Sequence, residues 1–399
     1  MDLRFSDEDE AFRAEARAWL TEQLEGDFAG VRGRGGMGDE HSLFDERLAW
    51  EQALGAAGWT CVGWPKEHGG RGLTLHQQVI WYEEYARAKG PGRLNHMGVE
   101  LAGPTIIAFG TPAQQQRFLP PIVGGTELWA QGYSEPNAGS DLANVSTFAE
   151  LDGDEWVISG QKVWTSLAHW SDWCFVVART NRDAPRHRGL SYLLVPLRQD
   201  GVDIRPIRQI TGTSEFNEVF FDGARTKAEH IVGDVDGGWK VAMGTLAFER
   251  GASTLGNQLG YRNELDSIIE VARRTDRLDD PSIRQRLAQA HIELEIMRWS
   301  ALRVLSAAGA ELPREAMISK LYWATWHRNL GNLAMDVLGP EAGLTSQGSD
   351  DPYDPTLLQR LFLFSRADTI YGGSNQIQRN IIGERALGLP PEPKPPPKA

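Results

Sequence analysis

What most constrains this chain is a change of hydrophobic period part-way along it, and then a change back. From Ser6 to about residue 125 apolar residues recur at helical spacing and no convincing strand interrupts them. Ser6 suits an N-cap, acids fill the turn after it, and Phe12, Ala16, Trp19 and Leu20 form one stripe. A Gly-rich loop over 30–38 separates this helix from others expected over 43–57, 75–88, 101–109 and 112–123, the last opened by Thr111 and Pro112. The pattern then turns to short strands. Residues 155–164 read as two strands around a Ser159-Gly160 turn, and runs over 173–178, 190–195, 202–207 and 218–221 follow closely. Strands that succeed one another without helices between them indicate an antiparallel barrel or sandwich, not βαβ units. After Gly233 the helical period returns, over 239–249, 255–274, 281–308, 314–338, 356–369 and 375–385. The expected division is a helical domain over 1–126, a β domain over 127–235 and a second helical domain over 236–388. Residues 389–399 carry six prolines and read as a disordered tail.

A chain of 399 residues is too long for one core and suits two or three domains. Its net charge of −13 argues against a nucleic-acid partner reached through a basic face, so a polyanionic ligand needs a local basic pocket. Cys61 and Cys174 are the only cysteines and sit in apolar surroundings, which leaves no disulfide framework or cysteine-based zinc site. The N-terminus is acidic, without the charge and apolar run of a signal peptide, and no apolar run approaches the ~20 residues of a membrane span. A soluble, cytoplasmic protein without membrane insertion is expected.

Most familiar motifs fail. Residues 33–38 match G-x-G-x-x-G in letters only, because no strand precedes them and no βαβ unit surrounds them. A phosphate-binding lysine loop, an H-E-x-x-H pair and a G-x-S-x-G elbow are all missing, and the nine histidines show no ligand spacing. His169 reads as an ordinary loop histidine. What remains is residues 129–173, where two runs mix glycine, small hydroxyl residues and aromatic rings between strands: Gln131-Gly-Tyr-Ser-Glu-Pro-Asn-Ala-Gly-Ser-Asp141 and Lys162-Val-Trp-Thr-Ser166. Backbone N–H groups and hydroxyls there can bond the edge of a flat polar ring, with Trp164 or Tyr133 over its face.

These runs, with Ser374-Asn-Gln-Ile-Gln-Arg-Asn-Ile-Ile-Gly-Glu-Arg-Ala-Leu-Gly-Leu389, resemble three signatures of the acyl-CoA dehydrogenase family, in its chain order and over nearly the whole length. The pattern resembles actinobacterial FadE-type members. The resemblance implies an α+β multidomain fold: an N-terminal helical domain, a middle antiparallel β-barrel and a C-terminal four-helix bundle. It implies a tetramer holding FAD without a covalent bond and oxidising acyl-CoA to trans-2-enoyl-CoA, with electron-transfer flavoprotein as electron acceptor. Carried over by position, Gln131, Tyr133, Ser134, Gly139, Ser140, Trp164, Thr165 and Ser166 line the cofactor, and Ser374, Asn375 and Gln376 complete its site. Thr165 or Ser166 lies at flavin N5, and Ser140 also lies near the CoA.

Most of the family carries its base, a glutamate, at the position of Gly372 here. That residue has only an N–H to offer the thioester carbonyl, in a turn with Gly373 at the substrate. A minority of members places the base in an L-x-x-E-R run, which this chain has as Leu246-Ala-Phe-Glu-Arg250. Glu249 is therefore the expected base and Arg250 its neighbour at the substrate. Two further family patterns depart: 273–278 lack the usual Arg-x-x-Phe-Gly, and Asp336 stands where a neutral amide contacts the neighbouring subunit's FAD. That asymmetry fits an α2β2 heterotetramer with a sister chain, the alternative being a homotetramer. The rival readings are a flavin oxidase or monooxygenase of the same fold, and an FAD-deficient partner subunit.

Overall fold

The computed structural model describes residues 5–36, 38–248, 258–307, 313–344 and 354–391. The first third is helical: α1 (Asp7–Glu25), α2 (Phe44–Ala56), α3 (Leu75–Arg87), α4 (Gly103–Phe109) and α5 (Pro112–Gly124). Three of these start on reciprocal caps, Ser6 with Asp9, Thr74 with Gln77 and Thr111 with Gln114, which satisfy the otherwise bare first-turn N–H groups. The helix expected over 101–109 is helical throughout and starts earlier, with a wider π-type stretch over Gly98–Ala102 running straight into α4. Trp50, Trp59 and Trp81 fill the core of this part, with Trp59 and Trp81 stacked at 4.6 Å.

The middle third is one curled, seven-stranded sheet: β1 (Trp129–Gly132), β2 (Phe148–Asp152), β3 (Glu155–Ser166), β4 (Trp173–Arg179), β5 (Leu190–Pro196), β6 (Val202–Pro206) and β7 (Phe216–Lys227). β3 pairs antiparallel with β2 and β7, β4 with β5, and β6 with β7. The other edge of β4 takes β1 and then the start of β2, both parallel to it. The turn expected at Ser159-Gly160 is absent: both residues lie inside the unbroken strand β3. Glycine is required there because Gly160 has φ +149° and a Cβ would come within 2.6 Å of the Thr147 backbone. A glycine in a strand interior imitates a turn in sequence when it marks close approach of another backbone.

The last third is helical again: α6 (Gly238–Phe248), α7 (Gln258–Arg274), α8 (Pro281–Ala307), α9 (Ser319–Leu338), α10 (Leu357–Asp368) and α11 (Asn375–Ile381). Helices α7 to α10 share one apolar core, in which Leu265, Ile268, Leu294, Leu330 and Val337 are buried. A separate core joins the three thirds, since Ile106, Phe118, Trp129, Tyr133, Phe175, Tyr192 and Val241 belong to one cluster. Polar ties reinforce it: Thr105 and Thr245 hydroxyls meet at 2.8 Å, and Gln114 donates to the carbonyls of Glu229 and Ile231. Cys61 and Cys174 are buried free thiols, as expected, and burial raises the pKa of each. Among the described residues no helix is long and apolar enough to cross a membrane. Most of the Pro-rich tail, residues 392–399, lies outside the described residues.

Candidate active site

The two signature runs of the β domain meet through a buried ion pair. Lys162 is fully buried on β3, and its Nζ donates to Glu135 Oε1 at 2.8 Å and to the carbonyls of Val177 and Tyr133 at 2.7 and 3.1 Å. Glu135 also accepts from the Ser146 N–H and hydroxyl and from the Thr147 N–H, at 2.7–2.9 Å. Burial opposes its charge, but Lys162 and these donors outweigh that and hold the carboxyl down to about 2. Burial likewise pulls Lys162 below the ordinary lysine range, while three oxygen acceptors around Nζ keep it an ammonium. The Val163 N–H donates to the Ser134 carbonyl at 2.9 Å, so the 133–141 and 160–166 segments form one wall.

The strand itself decides what that wall presents. Between Lys162 and Thr165 β3 carries one residue more than β7 opposite, a bulge that breaks the in-out alternation. Lys162 and Thr165 therefore both face inward, fully buried, while Trp164 takes φ +61° and turns outward, 57% exposed. A positive φ is unfavourable for tryptophan and persists because flanking pairs fix the strand on both sides. Ser166, next along, is half-buried. Of the two rings expected to cover a ligand face, only Trp164 is available: Tyr133 is 5% exposed, with its ring edge-on to Phe175 and Tyr192. Ser134 is half-buried, and Gly139 and Ser140 are exposed after the tight Glu135–Ala138 turn.

The third signature stands on the helical bundle. Ser374 caps α11 through the Ile377 N–H, Asn375 donates to the Thr325 hydroxyl at 3.3 Å, and Gln376 is exposed. Among the described residues no hydrogen bond joins these three to the barrel wall. Gly372 and Gly373 form a turn with φ +59° and +85°, its first carbonyl held by Gln378 at 3.0 Å. Glu249 and Arg250 lie outside the described residues; helix α6 brings the chain to Phe248 along the barrel.

The residues expected to hold FAD suit such a group. Gln131 Nε2 and Asn375 Oδ1 are buried polar atoms with no partner, which a ligand rich in donors and acceptors can satisfy. The exposed Trp164 ring adds an apolar face. Among the described residues no cluster of histidine, cysteine or carboxylate side chains could hold a metal. Of the two family departures, Asp336 is paired with Arg286 at 2.7 Å on the surface of the bundle, and Arg273 with Glu270.

Sequence reasoning passed over Glu135 and Lys162 as site residues, although both stand in the quoted runs. The available signal was phase. Trp156 and Ile158 face inward, and Lys162 falls on the same alternation, where a charge requires a partner.

Comparison with known proteins matches residues 6–126, 130–224 and 236–387 to the N-terminal, middle and C-terminal domains of acyl-CoA dehydrogenase. The chain belongs to the acyl-CoA dehydrogenase family. It is 62% identical over 385 residues to "Acyl-CoA dehydrogenase IpdE1" of Mycobacterium tuberculosis, covering 96% of this chain and 99% of that one. Among solved structures, "Tcur3481-Tcur3483 steroid ACAD" superposes with a TM-score of 0.85 at 31% identity, covering 98% of this chain and 100% of that chain. The ChsE4-ChsE5 complex from Mycobacterium tuberculosis contains a chain with a TM-score of 0.80 at 30% identity, over 98% of this chain and 100% of that one. As an acyl-CoA dehydrogenase this chain is an oxidoreductase, and its family is generally FAD-binding.

Proposed function

We propose that this acyl-CoA dehydrogenase converts an acyl-CoA thioester to the trans-2-enoyl-CoA, with Glu249 as the base. The observation that carries the reading is the wall built by Glu135 and Lys162, which fixes both family signatures of the barrel in one rigid unit with Gln131 left unsatisfied. Bound FAD supplies the acceptor for the hydride that leaves Cβ. Gln131, Ser134, Trp164, Ser374, Asn375 and Gln376 are the groups of this chain that hold it, with Tyr133 and Gly139 contributing backbone. Thr165 faces the interior, so Ser166 is the hydroxyl that meets the flavin edge. Glu249 removes the α-proton, and its carboxyl must then retain that proton, which poor solvation favours. Gly372 and Gly373 present backbone N–H groups to the thioester oxygen and so acidify the α-carbon. Ser140 and Arg250 border the CoA thioester.

For the substrate, the likeness to the Tcur3481-Tcur3483 steroid enzyme favours a bulky, steroid-derived acyl group over a simple fatty acyl chain. For the assembly, the acid at 336 and the heteromeric ChsE4-ChsE5 neighbour favour an α2β2 tetramer with a sister chain, passing electrons to electron-transfer flavoprotein. Anaerobic titration with a panel of acyl-CoAs tests the chemistry: the oxidised flavin band bleaches with the right substrate, and Glu249→Gln loses nearly all of it. An unimpaired Glu249→Gln defeats the assignment of the base. Rapid reoxidation of the substrate-reduced flavin by oxygen would favour the oxidase reading. A fully flavinated homotetramer, formed by this chain alone, would remove the sister chain.

A further inference from the structure

The turn offered to the thioester is made of two glycines, the least constrained residues available, yet a hydrogen-bond donor there is useful only if it is held in place. The anchor is a charged hub under the turn. His327, on α9, is 1% exposed, and its two ring nitrogens face Asp368 Oδ2 at 2.5 Å and Glu264 Oε2 at 2.8 Å. Carboxylates only accept, so the ring carries both protons and joins α7, α9 and α10 as one cation between two anions. Asp368 is fully buried at the end of α10 and uses both oxygens: the second accepts from the Tyr371 hydroxyl at 2.6 Å. Its backbone carbonyl accepts from Lys320. Tyr371 immediately precedes Gly372. A one-piece linkage therefore runs from Glu264 through His327, Asp368 and Tyr371 to the glycine turn.

We infer that His327 and Asp368 are positioning residues, whose ion pair, acting through the Tyr371 hydroxyl, fixes the Gly372–Gly373 turn against the substrate thioester. The inference rests on the acyl-CoA chemistry proposed above, which gives that turn its ligand. A buried ion pair is at best a weak source of stability compared with apolar side chains of the same volume. Its worth lies in direction. The hub tolerates one geometry, and the residue it reaches last is the one before the glycines. The other groups facing it are the Tyr261 ring at 5.1 Å, Lys320, Arg366 on α10, and Arg360, which lines a cavity of about 40 Å³ together with Glu264 and His327.

The test uses the assembled, flavin-loaded protein and two variants, Tyr371→Phe and His327→Gln. Tyr371→Phe removes one hydroxyl from a half-open ring and leaves the hub intact, so it keeps its fold even where His327→Gln does not. Hydrogen exchange by mass spectrometry reads the turn directly: the 369–374 amides should exchange about tenfold faster in each folded variant. Flavin content and melting temperature of Tyr371→Phe should stay near those of the unaltered protein. The bleaching rate with the best acyl-CoA should fall roughly 10- to 100-fold, with less than about threefold change in the half-saturating concentration, as for a displaced oxyanion donor. A merely structural role would not produce that split. Unchanged exchange in Tyr371→Phe overturns the inference, and so does faster exchange with an unchanged bleaching rate. Failure of every acyl-CoA to bleach the unaltered protein would instead defeat the proposed chemistry, while the exchange result would still decide whether the hub holds the turn.

Discussion

Replacing Lys162 with methionine is the sharpest probe of the barrel wall. The side chains are similar in length, so the change removes a charge and three hydrogen bonds with little change in packing. It leaves the Glu135 carboxylate buried, and it removes one donor from each of the Tyr133 and Val177 carbonyls. Removing one partner of a buried pair costs about 3–5 kcal/mol. Glu135 keeps the Ser146 and Thr147 donors, so the expected cost lies at the lower end, about 3 kcal/mol. The Glu135 carboxyl, held at about 2 against burial by Lys162 together with the Ser146 and Thr147 donors, gives that stability a pH dependence. Because the folded pKa is depressed, that stability is complete above pH 4.5 and is lost as pH falls towards 2. Urea unfolding at fixed protein concentration, paired with the ratio of flavin to protein, reads both consequences. Lys162→Met should lose about 3 kcal/mol and most of its flavin, since the 133–141 and 160–166 segments are no longer joined. The double variant with Glu135→Gln should recover about 1–2 kcal/mol, because no unpaired charge remains. A Lys162→Met protein within about 0.5 kcal/mol of the original, with full flavin content, would refute the account of the wall.

Gly160→Ala should destabilise by about 1–3 kcal/mol in the same unfolding assay, because its Cβ meets the Thr147 backbone at a φ that alanine avoids. Trp164→Ala should change stability by less than about 1 kcal/mol, the ring being mostly exposed, yet weaken flavin retention on dilution or dialysis. Burial and the neighbouring Glu215 raise the Glu40 carboxyl to about 8, so this group takes stability away as pH rises from 4.5 through 8. Glu40→Gln should flatten the fall in melting temperature over that range, and an unchanged slope would count against the assignment. His327 has the opposite character. Burial opposes its charge but Glu264 and Asp368 hold the imidazolium up to about 10, so its contribution is complete below pH 6.5 and is lost as pH rises towards 10. The melting temperature of the unaltered protein should therefore drop between pH 8 and 10 more steeply than that of a folded His327→Gln variant.

The sequence by itself determined the order of helices, sheet and helices, and it did so through local physics. Apolar period, Ser6, Thr74 and Thr111 as caps, and β-rich runs around residues 173–221 all act within a few residues of one another. It also marked the stretches proposed to carry the chemistry, because the runs at 131–141, 162–166 and 374–376 are each contiguous in the chain. Where contacts span long distances, local signals misled or said nothing. Gly160 looked like a turn because the backbone that forbids its Cβ, at Thr147 just before β2, is brought there only by strand pairing. Thr165, expected with Ser166 at the cofactor, turns inward while Trp164 turns outward because of an extra residue in β3 that only pairing with β7 reveals. Lys162 and Glu135 are 27 residues apart, and His327 and Asp368 are 41. No period links such positions, and each charge read alone resembles a solvated one. Tertiary structure decided that these four are buried and paired, since only folding brings a desolvated charge to its partner, and two such pairs hold the barrel wall and the glycine turn.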